Sequence, residues 1–137
     1  MNCPHCKNPM IILELGDVET DYCTVCEGIW LDAGELELLI EDSTAKTELL
    51  SSFQLIKHIK EKNIKCPICN TKMEKIYVGK EDKVIIDECK HGHGIWFDKG
   101  EILKVIKMGS VNQQNDIINL LTEMYENKIY PTNKEEG

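Results

Sequence analysis

CKHGHGIWFDKGE, residues 89–101, repeats the pattern of CTVCEGIWLDAGE, residues 23–35, which stands sixty-six positions earlier. The GIW triplet, the aspartate and the GE pair hold register, making Cys23/Cys89, Gly28/Gly94, Ile29/Ile95, Trp30/Trp96, Asp32/Asp98, Gly34/Gly100 and Glu35/Glu101 equivalent. One position departs. Where the earlier copy has Cys26, the later one has Gly92, flanked by His91 and His93. Working outward, CPHC at 3–6 returns as CPIC at 66–69 with an offset of 63, and Met10 matches Met73 at that offset. The three extra residues fall between the paired segments, at Gly16-Asp17 in the first copy and in the polar stretch 79–83 of the second. Loops absorb insertions, whereas strands and tight knuckles do not. The chain is a tandem duplication.

Each copy reads as the same set of elements. MIILEL (10–15) and VETDY (18–22) are β-favouring segments around a Gly-Asp turn, and MEKIYV (73–78) with VIIDE (84–88) repeats them. A hairpin alone is marginal in water, so something must clasp its open end. Asp32-Ala33-Gly34-Glu35 and Asp98-Lys99-Gly100-Glu101 read as capping boxes, with the aspartate accepting backbone N–H groups and the glutamate reaching back. Short helices are expected at 35–40 and 101–108. Apolar stripes predict further helix over 44–61 (Leu49, Phe53, Ile56) and 111–129 (Ile117, Leu120, Leu121, Met124, Tyr125). These stripes suit core packing or a homodimer face.

The cysteines supply the clasp. Seven is an odd number for a disulfide framework, and C-x2-C pairs occur at Cys3/Cys6, Cys23/Cys26 and Cys66/Cys69. Two such pairs joined by a hairpin bring four thiolates to one tetrahedral metal, the arrangement of a zinc ribbon. The second copy offers Cys66, Cys69 and Cys89 plus a histidine. Seven cysteines and one histidine then make two complete four-ligand sites. His93 is the preferred eighth ligand, in a knuckle read as one residue longer and turned by Gly92; His91 is the alternative, because a ligand two residues from Cys89 is a tight chelate. His5 and His58 read as exposed side chains. A thioredoxin-like dithiol expects a βαβ context, which is missing. Rubredoxin-type iron also suits the all-cysteine site, whereas three cysteines and a histidine favour zinc. Trp30 and Trp96 each read as the small core of their own copy.

Charge divides the chain. All sixteen basic residues are lysines; residues 1–56 carry net −9, 57–108 net +4 and 109–137 net −3. The absence of arginine, the usual bidentate reader of guanine and phosphate, weakens a nucleic-acid reading. No apolar run approaches the roughly 20 residues that span a bilayer. MNCPHCKNPM has neither the basic start nor the apolar core of a signal peptide, so a cytoplasmic location is expected.

The pattern CPxC, hairpin, CxxCxGxWLDxGEL resembles the transcription-factor-IIB-type zinc-finger family. Cys3, Cys6, Cys23, Cys26, Gly28, Trp30, Leu31, Asp32, Gly34, Glu35 and Leu36 carry the match, and 66–102 follow a variant with a histidine before the glycine. The resemblance implies a zinc ribbon and little about activity. The expected fold is small, α+β and metal-stabilised: a first ribbon over 1–42, a connecting helix over 43–65, a second ribbon over 66–108, a C-terminal helix over 109–130 and a disordered tail at 131–137. Two structural Zn2+ ions are expected. The expected role is a non-enzymatic protein-interaction module, with a link to transcription that rests on the family's name and fold analogy alone. The alternative is a nucleic-acid-binding regulator using Lys57, Lys60, Lys62, Lys65, Lys72, Lys75, Lys80 and Lys83. No HExxH, nucleophile elbow or phosphate-binding glycine loop favours an enzyme.

Overall fold

The computed structural model describes residues 1–60, 62–110 and 115–126. In the first repeat, β1 (Ile11–Leu15) and β2 (Val18–Tyr22) form the anticipated hairpin, and β3 (Ile29–Asp32) adds a third strand. Helices α1 (Glu35–Leu39) and α2 (Ser43–Ser51) follow. A two-residue strand, β4 (Gln54–Leu55), leads into the second repeat. There β5 (Glu74–Val78), β6 (Val84–Glu88) and β7 (Gly94–Phe97) repeat the three-stranded unit, followed by α3 (Glu101–Met108) and α4 (Asp116–Glu126).

The two repeats share one antiparallel sheet, in the order β1-β2-β3-β7-β6-β5-β4. The join is β3 on β7, where Trp30 faces Trp96, Ile29 faces Phe97 and Leu31 faces Ile95. Because residue 30 is equivalent to residue 96, the pairing is self-complementary about the tryptophans, as in a two-fold dimer made within one chain. The sequence reading missed β3 and β7, assigning no strand to either four-residue segment. A third strand and a shared sheet answer the problem that a lone hairpin cannot solve.

Strand alternation sorts the two faces. Leu13, Leu15, Val18, Tyr22, Ile29, Leu31, Ile76, Val78, Val84, Ile86 and Phe97 point to one side, against the buried faces of the helices. Leu36, Leu39, Leu49, Ile102, Val105, Ile106, Ile118, Leu121 and Met124 complete this core, so the apolar stripe of α4 packs within the chain. The helix anticipated over 44–61 stops at Ser51, where Ser52 N–H donates to the Leu49 carbonyl and Phe53 N–H to that of Leu50. Residues 54–55 turn instead into β4, since an open edge of β5 offers ladder partners that a polar helix surface does not. The anticipated tail at 131–137 lies outside the described residues, as does the end of the helix expected to reach 130.

Candidate metal centres

The opposite face of the sheet carries one row of side chains straight across it. The register gives Ile12, Asp21, Trp30, Trp96, Asp87 and Lys75 in order, each opposite the next on the neighbouring strand. At its centre both tryptophans are completely buried. They pack with Cys3, Cys23, Cys66, Cys89 and Met73 in a second core, between the four knuckles.

Each tryptophan reaches across to the other repeat. A Cβ at Gly28 would fall 2.2 Å from the six-membered ring of Trp96, and one at Gly94 would fall 2.5 Å from that of Trp30. The glycine of each GIW triplet is therefore small because the other repeat's indole lies on it. This corrects the reading of each tryptophan as the core of its own copy. Each indole N–H donates to an aspartate two residues on, Trp30 to Asp32 and Trp96 to Asp98, both at 2.9 Å. The aspartates thus hold tryptophans rather than helix N–H groups, which corrects half of the capping-box reading. The other half stands: Glu35 accepts the Asp32 N–H at 2.8 Å and Glu101 accepts the Asp98 N–H at 3.3 Å. Sequence spacing cannot separate a cap from an indole acceptor, because both need the aspartate at the same place.

Knuckle geometry sets the ligands. In the first three knuckles the backbone closes after four residues: Lys7 N–H donates to Cys3 O, Glu27 to Cys23 O and Asn70 to Cys66 O. Lys7, Glu27 and Asn70 adopt φ of 70°, 64° and 59° to make that turn. The fourth knuckle closes one residue sooner, Gly92 N–H donating to Cys89 O, with Gly92 at φ 80°. Yet Cys89 N–H reaches Gly94 O just as Cys23 N–H reaches Gly28 O. The fourth knuckle is therefore no longer than its equivalent, contrary to the sequence reading. Its left-handed residue comes one place earlier and its ligand one place later, after the turn instead of before it.

The donor atoms of Cys3, Cys6, Cys23 and Cys26 lie within 4.8 Å of one another, and so do those of Cys66, Cys69, Cys89 and His93. Cys3 Sγ is 3.4 Å from Cys26 Sγ, Cys6 Sγ 3.4 Å from Cys23 Sγ, and Cys69 Sγ 3.7 Å from Cys89 Sγ. A tetrahedron with zinc–sulfur arms of about 2.3 Å has edges of about 3.8 Å, so both clusters are metal-sized. His93 Nδ1 stands 3.5 Å from Cys89 Sγ, half-buried as Cys26 is in the first site. His91 is exposed, its Nδ1 3.7 Å from Cys69 Sγ; it lies beside the cluster rather than within it. His5 and His58 are exposed.

The chemistry of the donors fits a dication. Backbone N–H groups of His5 and Cys6 point at Cys3 Sγ, that of Cys26 at Cys23 Sγ, Ile68 at Cys66 Sγ and His91 at Cys89 Sγ, all at 3.3–3.4 Å. Hydrogen bonds from Asn8 draw the Cys6 thiol down to about 6, and those from Thr71 and His91 draw Cys69 down to about 5. Burial pushes Cys66 up to about 11 and raises Cys3 and Cys26 as well. Buried sulfurs that resist ionisation become thiolates beside a bound cation, whose charge inverts the local preference. Cys3, Cys6, Cys23 and Cys26 would hold one zinc, and Cys66, Cys69, Cys89 and His93 the other. With four protein donors each, the ions act as structural clasps.

Sequence reasoning missed two contacts near the sites. Lys75 Nζ lies 2.7 Å from Asp87 Oδ1, with both side chains almost fully buried. Tyr125 of α4 donates its hydroxyl to the Glu27 carbonyl at 2.9 Å, tying the C-terminal helix to a first-repeat knuckle. The first had a signal, because Lys75 stands where the first repeat has Ile12; the second contact joins residues 98 apart and had none.

Residues 2–42 and 65–108, together more than half of the chain, match the family model described as transcription factor zinc-finger. Comparison with curated proteins and with solved structures gave no match.

Proposed function

Since the chain belongs to the transcription factor zinc-finger family, with both copies built around zinc clasps, we propose that it is a non-enzymatic protein-interaction module. The observation that carries this reading is the completeness of both donor sets: four side chains per site leave no position for an activated water. The zinc-stabilised sheet then serves as a scaffold that presents a surface. The first repeat's surface is acidic, with exposed Glu14, Glu19 and Asp32 on the face opposite the helices, and it suits a basic polypeptide partner. No helix among the described residues is long and apolar enough to cross a membrane, and thiol-rich zinc sites are at home in a reducing cytoplasm.

Nucleic-acid binding is the second reading, favoured by a cleft of about 610 Å³ whose walls include Lys7, Lys62, Lys65 and Lys75. Against it, Lys75 is committed to Asp87 and Lys83 lies 5.1 Å over the Tyr77 ring. The charge of Lys75 is therefore offset inside the cleft, and Lys83 is held against an aromatic ring. The two readings part in one experiment. The zinc-loaded chain, immobilised and challenged with host lysate with and without nuclease treatment, should retain a protein in both cases. A mobility shift with single- or double-stranded nucleic acid that weakens steeply with salt, and capture lost on nuclease treatment, would decide for the second.

A further inference from the structure

The two outer edges of the sheet are treated differently. On β5 the linker lays down β4, with Gln54 opposite Tyr77 and Leu55 opposite Ile76, and Ile56 N–H donates to Lys75 O at 2.9 Å. On β1, which ends the strand order, no strand pairs with the outer side among the described residues. Among the described residues, the residue before it is engaged, Met10 N–H donating to Met1 O. By the repeat equivalence Ile12 and Glu14 occupy the places of Lys75 and Tyr77, so their backbone N–H and C=O groups face outward. An exposed edge of this kind is a template for another strand. Ile11 and Ile12 are 40% and 58% exposed, apolar surface that an added strand would cover.

The charge around this edge says what that strand carries. In the second repeat the row across the sheet ends in the ion pair of Asp87 with Lys75. In the first repeat the equivalent Asp21 faces Ile12, and Glu14 faces Glu19 beside it. Asp32 lies on the same face. The strand supplied within the chain to β5 is Gln54–Leu55, extended by the Ile56 contact, and the sequence FQLIKHIKEK around it carries lysines at 57, 60 and 62. We propose that β1 is a docking edge for an extended basic segment of another polypeptide, which adds as an eighth strand with an apolar residue over Ile12 and its cations over Glu14, Glu19 and Asp21. Main-chain hydrogen bonds supply the grip and the alternate side chains the selectivity. The inference rests on the protein-interaction reading and names the surface that serves it.

The probe is a fluorescent synthetic peptide of the sequence FQLIKHIKEK, titrated into the zinc-loaded full chain. Binding should be saturable and weaken with salt, and Ile12 and Glu14 amides should become protected from exchange. N-methylation of one alternate set of peptide residues should abolish binding, and of the other set leave it. Ile12→Lys and Glu14→Lys, both at exposed positions, should each weaken binding about tenfold while zinc content and circular dichroism stay unchanged. Absence of binding, indifference to which set is methylated, or protection confined to Lys75 and Tyr77 or to the lysine-lined cleft would overturn the proposal. A lysate protein retained equally by the parent chain and Glu14→Lys would also overturn it, and would leave the protein-interaction reading standing. Loss of protein capture by the parent chain itself would remove that reading.

Discussion

The two repeats agree where they meet and differ where they face outward. At the seam, Trp30 and Trp96, Gly28 and Gly94, and the indole acceptors Asp32 and Asp98 are matched in kind and geometry. Away from it, Cys26 gives way to His93, Ile12 to Lys75, and an open edge to one covered by β4. The seam is a self-complementary contact, in which a change on one side must suit both. The outer positions touch no equivalent of themselves and are free to diverge. Each repeat has consequently kept its clasp while acquiring its own surface.

The largest test of this comparison is metal removal. Structural zinc contributes roughly 10–16 kcal/mol of apparent binding free energy in small zinc-dependent folds, comparable to or above a small domain's whole stability. A chelator should therefore abolish the near-ultraviolet dichroism of both tryptophans, with two zinc ions released per chain. Cys23→Ser sharpens the point. It cripples the first site, yet Trp96 of the second repeat packs on Gly28 beside that site, so the second repeat's signal should fall as well. Independent loss of half the signal would break the description of the repeats as one folded unit. Within the second site, His93→Ala should release a zinc that His91→Ala retains, because His93 belongs to the donor cluster and His91 stands outside it.

Next in size is the pair that distinguishes the rows. Lys75→Ile copies the first repeat's residue into the second, but Asp87 is 2% exposed and would be left without the lysine. Removing one partner of a buried ion pair costs about 3–5 kcal/mol. Denaturant unfolding at neutral pH should show that loss, and Lys75→Ile combined with Asp87→Asn should recover part of it. The reverse change, Ile12→Lys, is expected to cost little, since Ile12 is mostly exposed.

The seam glycines come third. Gly28→Ala and Gly94→Ala each press a methyl group into the other repeat's indole, and overpacking of this kind costs about 1–3 kcal/mol. Both should redden or broaden the emission of the tryptophan in the opposite repeat. Gly34→Ala is the control: nothing lies within 4 Å of its would-be Cβ, and its φ of 87° alone makes a cost of about 1 kcal/mol.

These positions also mark what could be read beforehand. The duplication, the hairpins β1–β2 and β5–β6 and seven thiol ligands were legible, because metal ligands impose fixed spacing and hairpins impose alternation. The strands β3 and β7 were not, since four residues next to a knuckle carry no period of their own. Their partner is the other repeat, and a contact across sixty-six residues leaves a trace only as a glycine whose reason is elsewhere. Helix α2 was overextended because Phe53 and Ile56 continue an apolar stripe while serving an extended segment. His93 was preferred over His91 beforehand, but for the wrong reason: spacing suggested a longer loop, whereas an early turn at Gly92 brings the histidine to the cluster.

The smallest effect separates the two glutamates behind the knuckles. Burial, with Asp98 and Asp87 adding repulsion, pushes the Glu101 carboxyl up to about 7. Burial also raises its equivalent Glu35, but the Asp32 N–H is bound to Glu35 at 2.8 Å against 3.3 Å for Asp98 and Glu101, which favours the charged form more. With the folded value above the unfolded one, the native state holds the extra proton between about pH 4.5 and 7. Stability is then fully favoured below that window and declines as pH rises through it. Protonation of the zinc ligands acts in the opposite sense at the acid end, so Glu101 is best read as a difference from Glu101→Gln. The glutamine keeps an acceptor for the Asp98 N–H and has no proton to lose. It should match the parent chain near pH 5 and exceed it at pH 8 by about 1 kcal/mol, a figure reduced for the side chain's partial exposure. Glu35→Gln should show the same sign with a smaller gap. Equal gaps would mean that the stronger back-bond of the first repeat does not separate the two clasps.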